Sequence, residues 1–128
     1  MDMKLELIPI PVADVDRAKA FYVEKIGFHL DHDVQPSPTM RVVQLTPPGS
    51  ACSIVIGTGM GGGMQPGTIQ GVHLVVQDAQ QARELLASRG VAVSEINDMG
   101  GVKYVYFSDP DGNSWELQEI PAGLRLPL

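Results

Sequence analysis

An internal repeat is the feature that most constrains the fold of this chain. The segment "IPVADVDRAKAFYVEKIGF" at 10–28 is similar to "LVVQDAQQARELLASRGVAV" at 74–93. Three residues of the first segment recur unchanged 64 positions later, and these are Val12, Asp14 and Ala18. The segments 45–56 and 108–120 also correspond, at a shift of 63. A repeat of this kind predicts two copies of one unit, each with a strand, a helix and then further strands.

Each copy contains one predicted helix with recognisable ends. Asp14 and Asp78 are suited to cap the helix N-termini, because an aspartate side chain accepts hydrogen bonds from the first turn. Apolar residues then recur at spacings of three and four, which is the period of one helix face. They are Val15, Ala18, Phe21, Tyr22 and Ile26 in the first helix, and Ala79, Ala82, Leu85 and Leu86 in the second. Gly27 and Gly90 are placed to end the two helices.

The remaining segments are rich in β-branched and aromatic residues, which favour strands. Besides a strand around Leu7, strands are predicted at 41–46, 52–56, 72–76, 91–96 and 102–107. The sequence "DPDG" at 109–112 predicts a tight turn, with proline early and glycine late. The sequence therefore predicts an α+β domain of two βαβββ modules, in which a curved mixed sheet surrounds a cavity.

We predict a single domain over 1–128. The first module covers 1–56 and the second covers 72–120, with 121–128 as a tail. The segment between the modules, "GTGMGGGMQPGTIQG" at 57–71, contains seven glycines. Such a composition is typical of a flexible linker.

Charge excludes several classes of partner. The chain has 9 Lys and Arg against 15 Asp and Glu, a formal charge of −6. Nucleic acid and anionic lipid both require clustered cations, so we expect neither as a partner. The first dozen residues lack the pattern of a signal peptide, and no apolar stretch has the length of a membrane span. Cys52 is the single cysteine and forms no internal disulfide. These features together predict a cytoplasmic protein.

Two segments carry a resemblance to a known family. They are "IPVADVDRAKAFYVEKIGF" at 10–28 and "YFSDPDGNSWELQE" at 106–119. Together with the repeat, they resemble the vicinal oxygen chelate superfamily, the glyoxalase/bleomycin resistance protein/dioxygenase group. The resemblance implies paired βαβββ modules, a cavity in the curved sheet and a homodimer. It does not imply one reaction, because this fold supports many activities.

The resemblance also implies where a metal would bind. Metal-dependent members have one ligand on the first strand of each module, seven residues before the helix cap, and a Glu on the last strand. Counting from Asp14 and Asp78 gives Leu7 and Gly71, and the last-strand positions are Ser53 and Glu116. Of these four positions, only Glu116 matches a family ligand. His73 lies two residues after Gly71, so it should share the face of Glu116, and the two side chains could form half of a site. We therefore expect no cofactor, with a divalent metal at Glu116 and His73 as the alternative.

Glu116 has three interpretations. It is a former ligand position that still binds substrate, a general base or hydrogen-bond acceptor, or an ordinary solvated residue. We favour the first and predict Glu116 and His73 as catalytic or polar site residues. Strand parity adds candidate ligand-binding residues, which are Leu7, Pro9, Ser53, Tyr104 and Tyr106. The two tyrosines either stack on a planar ligand or pack in the core beneath the helices.

Two functions follow from these residues. The first is a glyoxalase/bleomycin-resistance-like protein that binds a small organic molecule in the cavity of the sheet, without the usual metal. The alternative is a metal-dependent enzyme of the superfamily, a lyase, isomerase or dioxygenase, that uses Glu116 and His73. A structural or partner-binding domain is a third hypothesis, which no residue specifically supports.

Overall fold

The structure is a computed structural model, and it describes residues 1–124. Within this range the chain forms eight strands. They are β1 (Leu7–Pro9), β2 (His29–Ser37), β3 (Met40–Thr46), β4 (Ser53–Thr58), β5 (Val72–Val75), β6 (Asn97–Met99), β7 (Val102–Ser108) and β8 (Ser114–Glu119). Helix α1 (Val15–Ala20) continues as a π-helical segment (Phe21–Ile26), and helix α2 (Ala79–Ser88) follows β5. No helix within 1–124 is both long and apolar enough to span a membrane.

The strands form two sheets of the same topology. The first sheet has the order β1-β4-β3-β2, and the second has the order β5-β8-β7-β6. In each sheet the first strand of the module pairs in parallel with the last strand, and the other pairs are antiparallel. The two βαβββ units predicted from the repeat are therefore confirmed, and the fold is α+β. Hydrogen bonding divides the strands into two four-stranded sheets.

The helix ends follow the predicted capping residues. Asp14 accepts a hydrogen bond from the backbone N–H of Arg17, and Asp78 accepts one from the N–H of Gln81, both at 3.0 Å. Gly27 ends the first helical segment with a φ of 94°, a left-handed conformation that costs glycine least. Its N–H donates to the carbonyl of Tyr22, five residues earlier, which is the spacing of a π-helical turn.

The chain divides into two compact units, and the "DPDG" turn belongs to the first of them. This unit comprises Met1–Ile69 together with Asp109–Asn113. The buried hydroxyl of Tyr22 donates to Asp109 Oδ2 at 2.7 Å. Asn113, which is fully buried, donates from Nδ2 to the Pro11 carbonyl and to Asp109 Oδ2, both at 2.8 Å. Because buried polar groups are costly when unpaired, these bonds fix the turn in place.

The second unit comprises Gln70–Ser108 and the chain from Ser114 onward. Here α2 packs against β7 and β8. The sheet face beneath α2 is apolar, with Phe107 stacked on the buried Trp115 at 6.2 Å between ring centroids. Glu119 Oε1 accepts a 2.7 Å hydrogen bond from the N–H of Ala79 at the start of α2. Side chains alternate along a strand, so the polar residues of β8 that alternate with Trp115 lie on the opposite face of this sheet.

One predicted strand is wrong. The segment 91–96 forms no ladder, and β6 begins only at Asn97. The segment is instead attached through Ser94, whose N–H donates to the Tyr106 carbonyl and whose Oγ accepts from the Tyr106 N–H. Arg83 Nε donates to the Ser94 carbonyl at 2.7 Å. Side-chain and loop hydrogen bonds thus replace the backbone ladder that the valine-rich sequence predicted.

The glycine-rich segment 57–71 begins inside a strand. Gly57 and Thr58 belong to β4 and pair with Val42 and Arg41 of β3. A Cβ at position 57 would lie 2.0 Å from the Arg41 carbonyl oxygen, so only glycine fits this pairing. The domain boundaries drawn from the sequence remain predictions, and residues 125–128 of the predicted tail lie outside the described residues.

Candidate functional site

A row of three side chains crosses the second sheet on the face opposite α2. Glu116 of β8 is paired with His73 of the parallel strand β5 on one side and with Tyr106 of β7 on the other. The next row contains Gln118, Tyr104 and Asn97. We call these six residues the polar face: His73, Asn97, Tyr104, Tyr106, Glu116 and Gln118. Strand alternation places them together, as it places Trp115 and Leu117 on the other side.

His73 and Glu116 lie within ion-pair distance of each other in the first row. His73 Nε2 lies 2.8 Å from Glu116 Oε2, and the two side chains are 45% and 23% exposed. The other ring nitrogen, Nδ1, lies 2.7 Å from the Gly71 carbonyl oxygen. A carbonyl oxygen only accepts, so Nδ1 carries a proton. The ring therefore presents its other nitrogen, Nε2, to the Glu116 carboxylate.

Gly71 positions the imidazole. Its φ of 76° lies in the left-handed region, where glycine is favoured. Its N–H donates to Ser114 Oγ at 2.8 Å and to the Ser114 carbonyl at 3.1 Å. The Gly71 carbonyl, in the next peptide group, contacts His73 Nδ1. Gly71 therefore sets which nitrogen of His73 faces Glu116.

Tyr104 and Tyr106 present parallel rings on the same face. Their ring centroids are 6.4 Å apart and the ring planes differ by 14°. The edge of His73 approaches Tyr104 at 6.1 Å between centroids. Gln118 Nε2 donates to the Tyr104 hydroxyl at 3.2 Å, and Asn97 Nδ2 is 3.5 Å from the Tyr106 hydroxyl. The tyrosines were predicted either to stack on a planar ligand or to pack in the core beneath the helices. They do not pack beneath α2, because α2 lies on the other face of the sheet.

The other three predicted ligand-binding residues lie in the first unit. Leu7 is paired with Ser53 across β1 and β4, and Pro9 with Val55. Leu7 is 39% exposed, whereas Ser53 is only 5% exposed. The Ser53 hydroxyl is 2.6 Å from the Thr46 hydroxyl, which in turn donates to Asp31. Ser53 is thus a buried member of a hydroxyl chain, with its polar atom already bonded.

Strand register corrects one residue equivalence. Leu7 pairs with Ser53 as His73 pairs with Glu116, so His73, rather than Gly71, occupies the position of Leu7. Leu7 and His73 are 66 positions apart, whereas the caps Asp14 and Asp78 are 64 apart. The connection from β5 to α2 is therefore two residues shorter than the one from β1 to α1. A count of seven residues back from Asp78 gave Gly71, because it assumed that the two connections have the same length.

The four family ligand positions do not fit a divalent cation. With the corrected register they are Leu7, Ser53, His73 and Glu116. Leu7 has no donor atom, Ser53 is buried in its hydroxyl chain, and the remaining two side chains are bonded to each other. Within residues 1–124, no cluster of three or more His, Cys, Asp or Glu side chains is arranged to hold a metal ion. Two donors alone are fewer than a tetrahedral or facial site requires.

Two cavities border these strands, one in each unit. In the second unit, a cavity of about 310 Å³ is bounded by Ala92, Tyr106, Phe107, Ser108 and Ser114. In the first unit, a pocket of about 190 Å³ lies between Pro9, Val55 and the glycine-rich loop with Met60 and Met64. The cavity of the second unit adjoins Tyr106 of the polar face. An open depression beside a partly exposed ring can admit part of a small molecule.

Sequence reasoning missed two members of the polar face. Gln118 follows Ser114 and Glu116 at the spacing of strand alternation, so parity alone could have found it. Asn97 had no such signal, because the strand was predicted at 91–96 and the residue falls just beyond it. Both amides contact tyrosine hydroxyls, which only the paired strands reveal.

Known proteins share this fold and part of the sequence. TnmS3, an antibiotic binding protein from Streptomyces sp. CB03234, is 35% identical with a TM-score of 0.84, over 94% of this chain and 98% of that one. A glyoxalase/bleomycin resistance protein from the same strain is 37% identical with a TM-score of 0.77, over 89% and 98%. A superfamily member from Sphaerobacter thermophilus DSM 20745 is 33% identical with a TM-score of 0.81, over 93% and 98%.

A family model agrees with these structures. The model described as Glyoxalase/Bleomycin resistance protein/Dioxygenase superfamily matches residues 4–117. The match includes both βαβββ units, up to Leu117 of β8. The resemblance inferred from the two sequence segments is therefore confirmed. The chain belongs to the glyoxalase/bleomycin resistance protein/dioxygenase superfamily.

Proposed function

We propose that this protein binds a small organic molecule on the polar face of its second sheet, without a metal. The observation that carries the proposal is the row of His73, Glu116 and Tyr106, half-exposed and paired across three strands. Similarity to TnmS3, an antibiotic binding protein, supports a ligand-binding role over a purely structural one. The first interpretation of Glu116, a ligand position that now contacts a substrate, is the one we adopt.

The chemistry of the polar face suits a planar ligand. The tyrosine rings offer apolar surface for stacking, and their hydroxyls remain at its edge. His73 and Glu116 supply two placed polar groups, which orient the polar groups of a ligand. Leu7, Pro9 and Ser53 of the first unit stay predictions as ligand contacts. Leu7 is 39% exposed, whereas the buried Ser53 hydroxyl is already bonded to Thr46.

Binding of coumarin, a planar bicyclic molecule, tests the proposal. Calorimetry should detect millimolar or tighter binding to the full chain, and Tyr106→Ala should weaken it about 5-fold because a stacking ring is removed. Val34→Ala is the matched control, since Val34 is an exposed apolar residue of β2 in the first sheet. Absence of binding to the unsubstituted protein, or equal binding by the Tyr106 variant, would contradict the proposal.

The alternative function is a metal-dependent enzyme of the superfamily, a lyase, isomerase or dioxygenase. One observation favours it, namely that His73 and Glu116 occupy both family ligand positions of the second module. Elemental analysis of untagged protein distinguishes the two functions. About one equivalent of Zn, Mn, Ni or Fe per chain would support the enzyme, and its absence after growth with added metals supports the metal-free binder.

Two further proposals concern the state of the protein in the cell. A homodimer is proposed because exposed apolar residues remain on the strands, among them Leu7, Val75 and Met99. A cytoplasmic location stays a prediction from the composition. Cell fractionation followed by immunoblotting tests it, and recovery in the membrane or extracellular fraction would contradict it.

A further inference from the structure

The hydrogen bonds of the polar face leave a defined set of unused donors and acceptors. His73 uses both ring nitrogens, one toward Gly71 and one toward Glu116 Oε2. Glu116 therefore keeps its second oxygen, Oε1, and no hydrogen bond reaches that atom from the residues that the structure describes. A carboxylate oxygen accepts only, so this position calls for a donor on a ligand.

Tyr104 has the opposite requirement. Its hydroxyl oxygen accepts from Gln118 Nε2 at 3.2 Å, so the phenolic proton must point elsewhere. Within residues 1–124, no acceptor is bonded to that proton. A donated hydrogen bond at the oxygen also polarises the hydroxyl and strengthens it as a donor. This position calls for an acceptor on a ligand.

We propose that the polar face recognises a planar molecule that presents a hydroxyl or amine donor to Glu116 Oε1 and a carbonyl-type acceptor to the Tyr104 hydroxyl. The parallel rings of Tyr104 and Tyr106 contact the body of the molecule. Gly71 and Gln118 act as positioning residues, because they fix which atoms of His73 and Tyr104 are already used. The inference rests on the proposed function and adds the chemical class of the ligand.

Two coumarins separate this inference from the function on which it rests. Umbelliferone (7-hydroxycoumarin) carries a hydroxyl donor and a lactone carbonyl, and its methyl ether has the same shape but cannot donate. At mildly acidic pH, where umbelliferone is neutral, the full chain should bind it about 10-fold more tightly than the ether, as expected for a hydrogen bond to a charged group. Glu116→Gln should reduce this preference several-fold, because an amide is a weaker acceptor than a carboxylate.

Tyr104→Phe keeps the ring and removes the donor, so it should weaken both coumarins about equally. Glu24→Gln, a charge removal at an exposed residue of the first unit, should change neither. Melting curves identify any variant that fails to fold, and the two ligands compared on the unsubstituted protein keep the test valid in that case. Equal affinity for both coumarins would overturn this inference and leave the proposed function standing. Failure of both to bind would overturn both proposals.

Discussion

At the scale of single residues, polar side chains in this protein divide into buried and half-exposed sets with different consequences. Tyr22, Asp109 and Asn113 are buried and bonded to one another. His73 and Glu116 are half-exposed and paired. A buried network contributes to stability because each lost partner leaves an unpaired group, whereas an exposed pair contributes little. We therefore assign stability to the first set and ligand contact to the second.

Tyr22→Phe tests the first assignment. The change removes a hydroxyl that donates to Asp109 Oδ2 at 2.7 Å and leaves the ring in place. Loss of one hydrogen bond to a buried carboxylate should lower the free energy of unfolding by about 1–3 kcal/mol. Urea denaturation measures the difference, and Tyr106→Phe is the control, with a change under about 0.5 kcal/mol. Equal effects of the two substitutions would show that the buried bond contributes nothing specific.

Most residues of the polar face could be predicted from the sequence, and the predictions that were wrong have physical causes. Strand parity placed Glu116, His73, Tyr104 and Tyr106 on one face, because alternation depends only on chain geometry. It could not show that Ser53 is buried, since its bonds to Thr46 and Gln44 join different strands. The predicted equivalence of Gly71 and Leu7 was wrong, because the connection between strand and helix is two residues shorter in the second repeat.

At the scale of elements, an ion-pair network attaches α1 to the first sheet. Arg41 of β3 donates from Nε and Nη2 to both oxygens of Asp33 in β2, at 3.1 and 2.9 Å. Lys19 of α1 lies 2.7 Å from Asp33, and Asp16 of α1 lies 2.7 Å from Arg41. Hydrogen bonds from Arg41, and then from Lys19, hold the pKa of Asp33 well below its ordinary value.

Asp33→Asn should show this network in the pH dependence of stability. Because the pKa of Asp33 is lowered in the folded chain, its charge stabilises the fold above the ordinary value of 3.8, and this stabilisation is lost as the pH falls below it. The variant should be about 1–2 kcal/mol less stable near neutral pH, with a difference that narrows below about pH 4. Asp16→Asn, at an 80% exposed carboxylate, should change stability much less.

Urea unfolding of these variants at several pH values provides the measurement. A difference between Asp33→Asn and the unsubstituted protein that stays constant from neutral to strongly acidic pH would contradict the account. One strand of this network was predicted, since 41–46 is rich in β-branched residues and β3 spans Met40–Thr46. The strand predicted at 91–96 was wrong, because the hydrogen bonds of this segment run through the Ser94 side chain, which competes with a ladder.

At the scale of the whole molecule, the repeat predicts the fold better than it predicts function. Both halves reproduce one strand order, so the duplication was sufficient to infer two copies of one βαβββ unit. The function depends instead on positions where the halves differ, with Leu7 and Ser53 in one and His73 and Glu116 in the other. A fold that supports many activities leaves the ligand to be determined by such side chains.

Association into a dimer is the prediction that belongs to this scale. Within residues 1–124, both sheets end in edge strands with no further strand paired outside them, β1 and β2 in the first and β5 and β6 in the second. Exposed edges with apolar neighbours favour pairing with a second copy. Light scattering at micromolar concentration should give a mass about twice the 13.8 kDa of one chain. A single-chain mass across that range would contradict the prediction.

The most direct test of the central claim is an NMR titration of the metal-stripped full chain with coumarin, in the presence of a chelator. The account predicts that the largest shift changes occur at His73, Tyr104, Tyr106 and Glu116, and that a chelator does not prevent them. Residues around Asp33 and Arg41 should stay unchanged, as an internal reference. Shift changes absent from the polar face, or present only after a divalent metal is added, would contradict metal-free binding at this site.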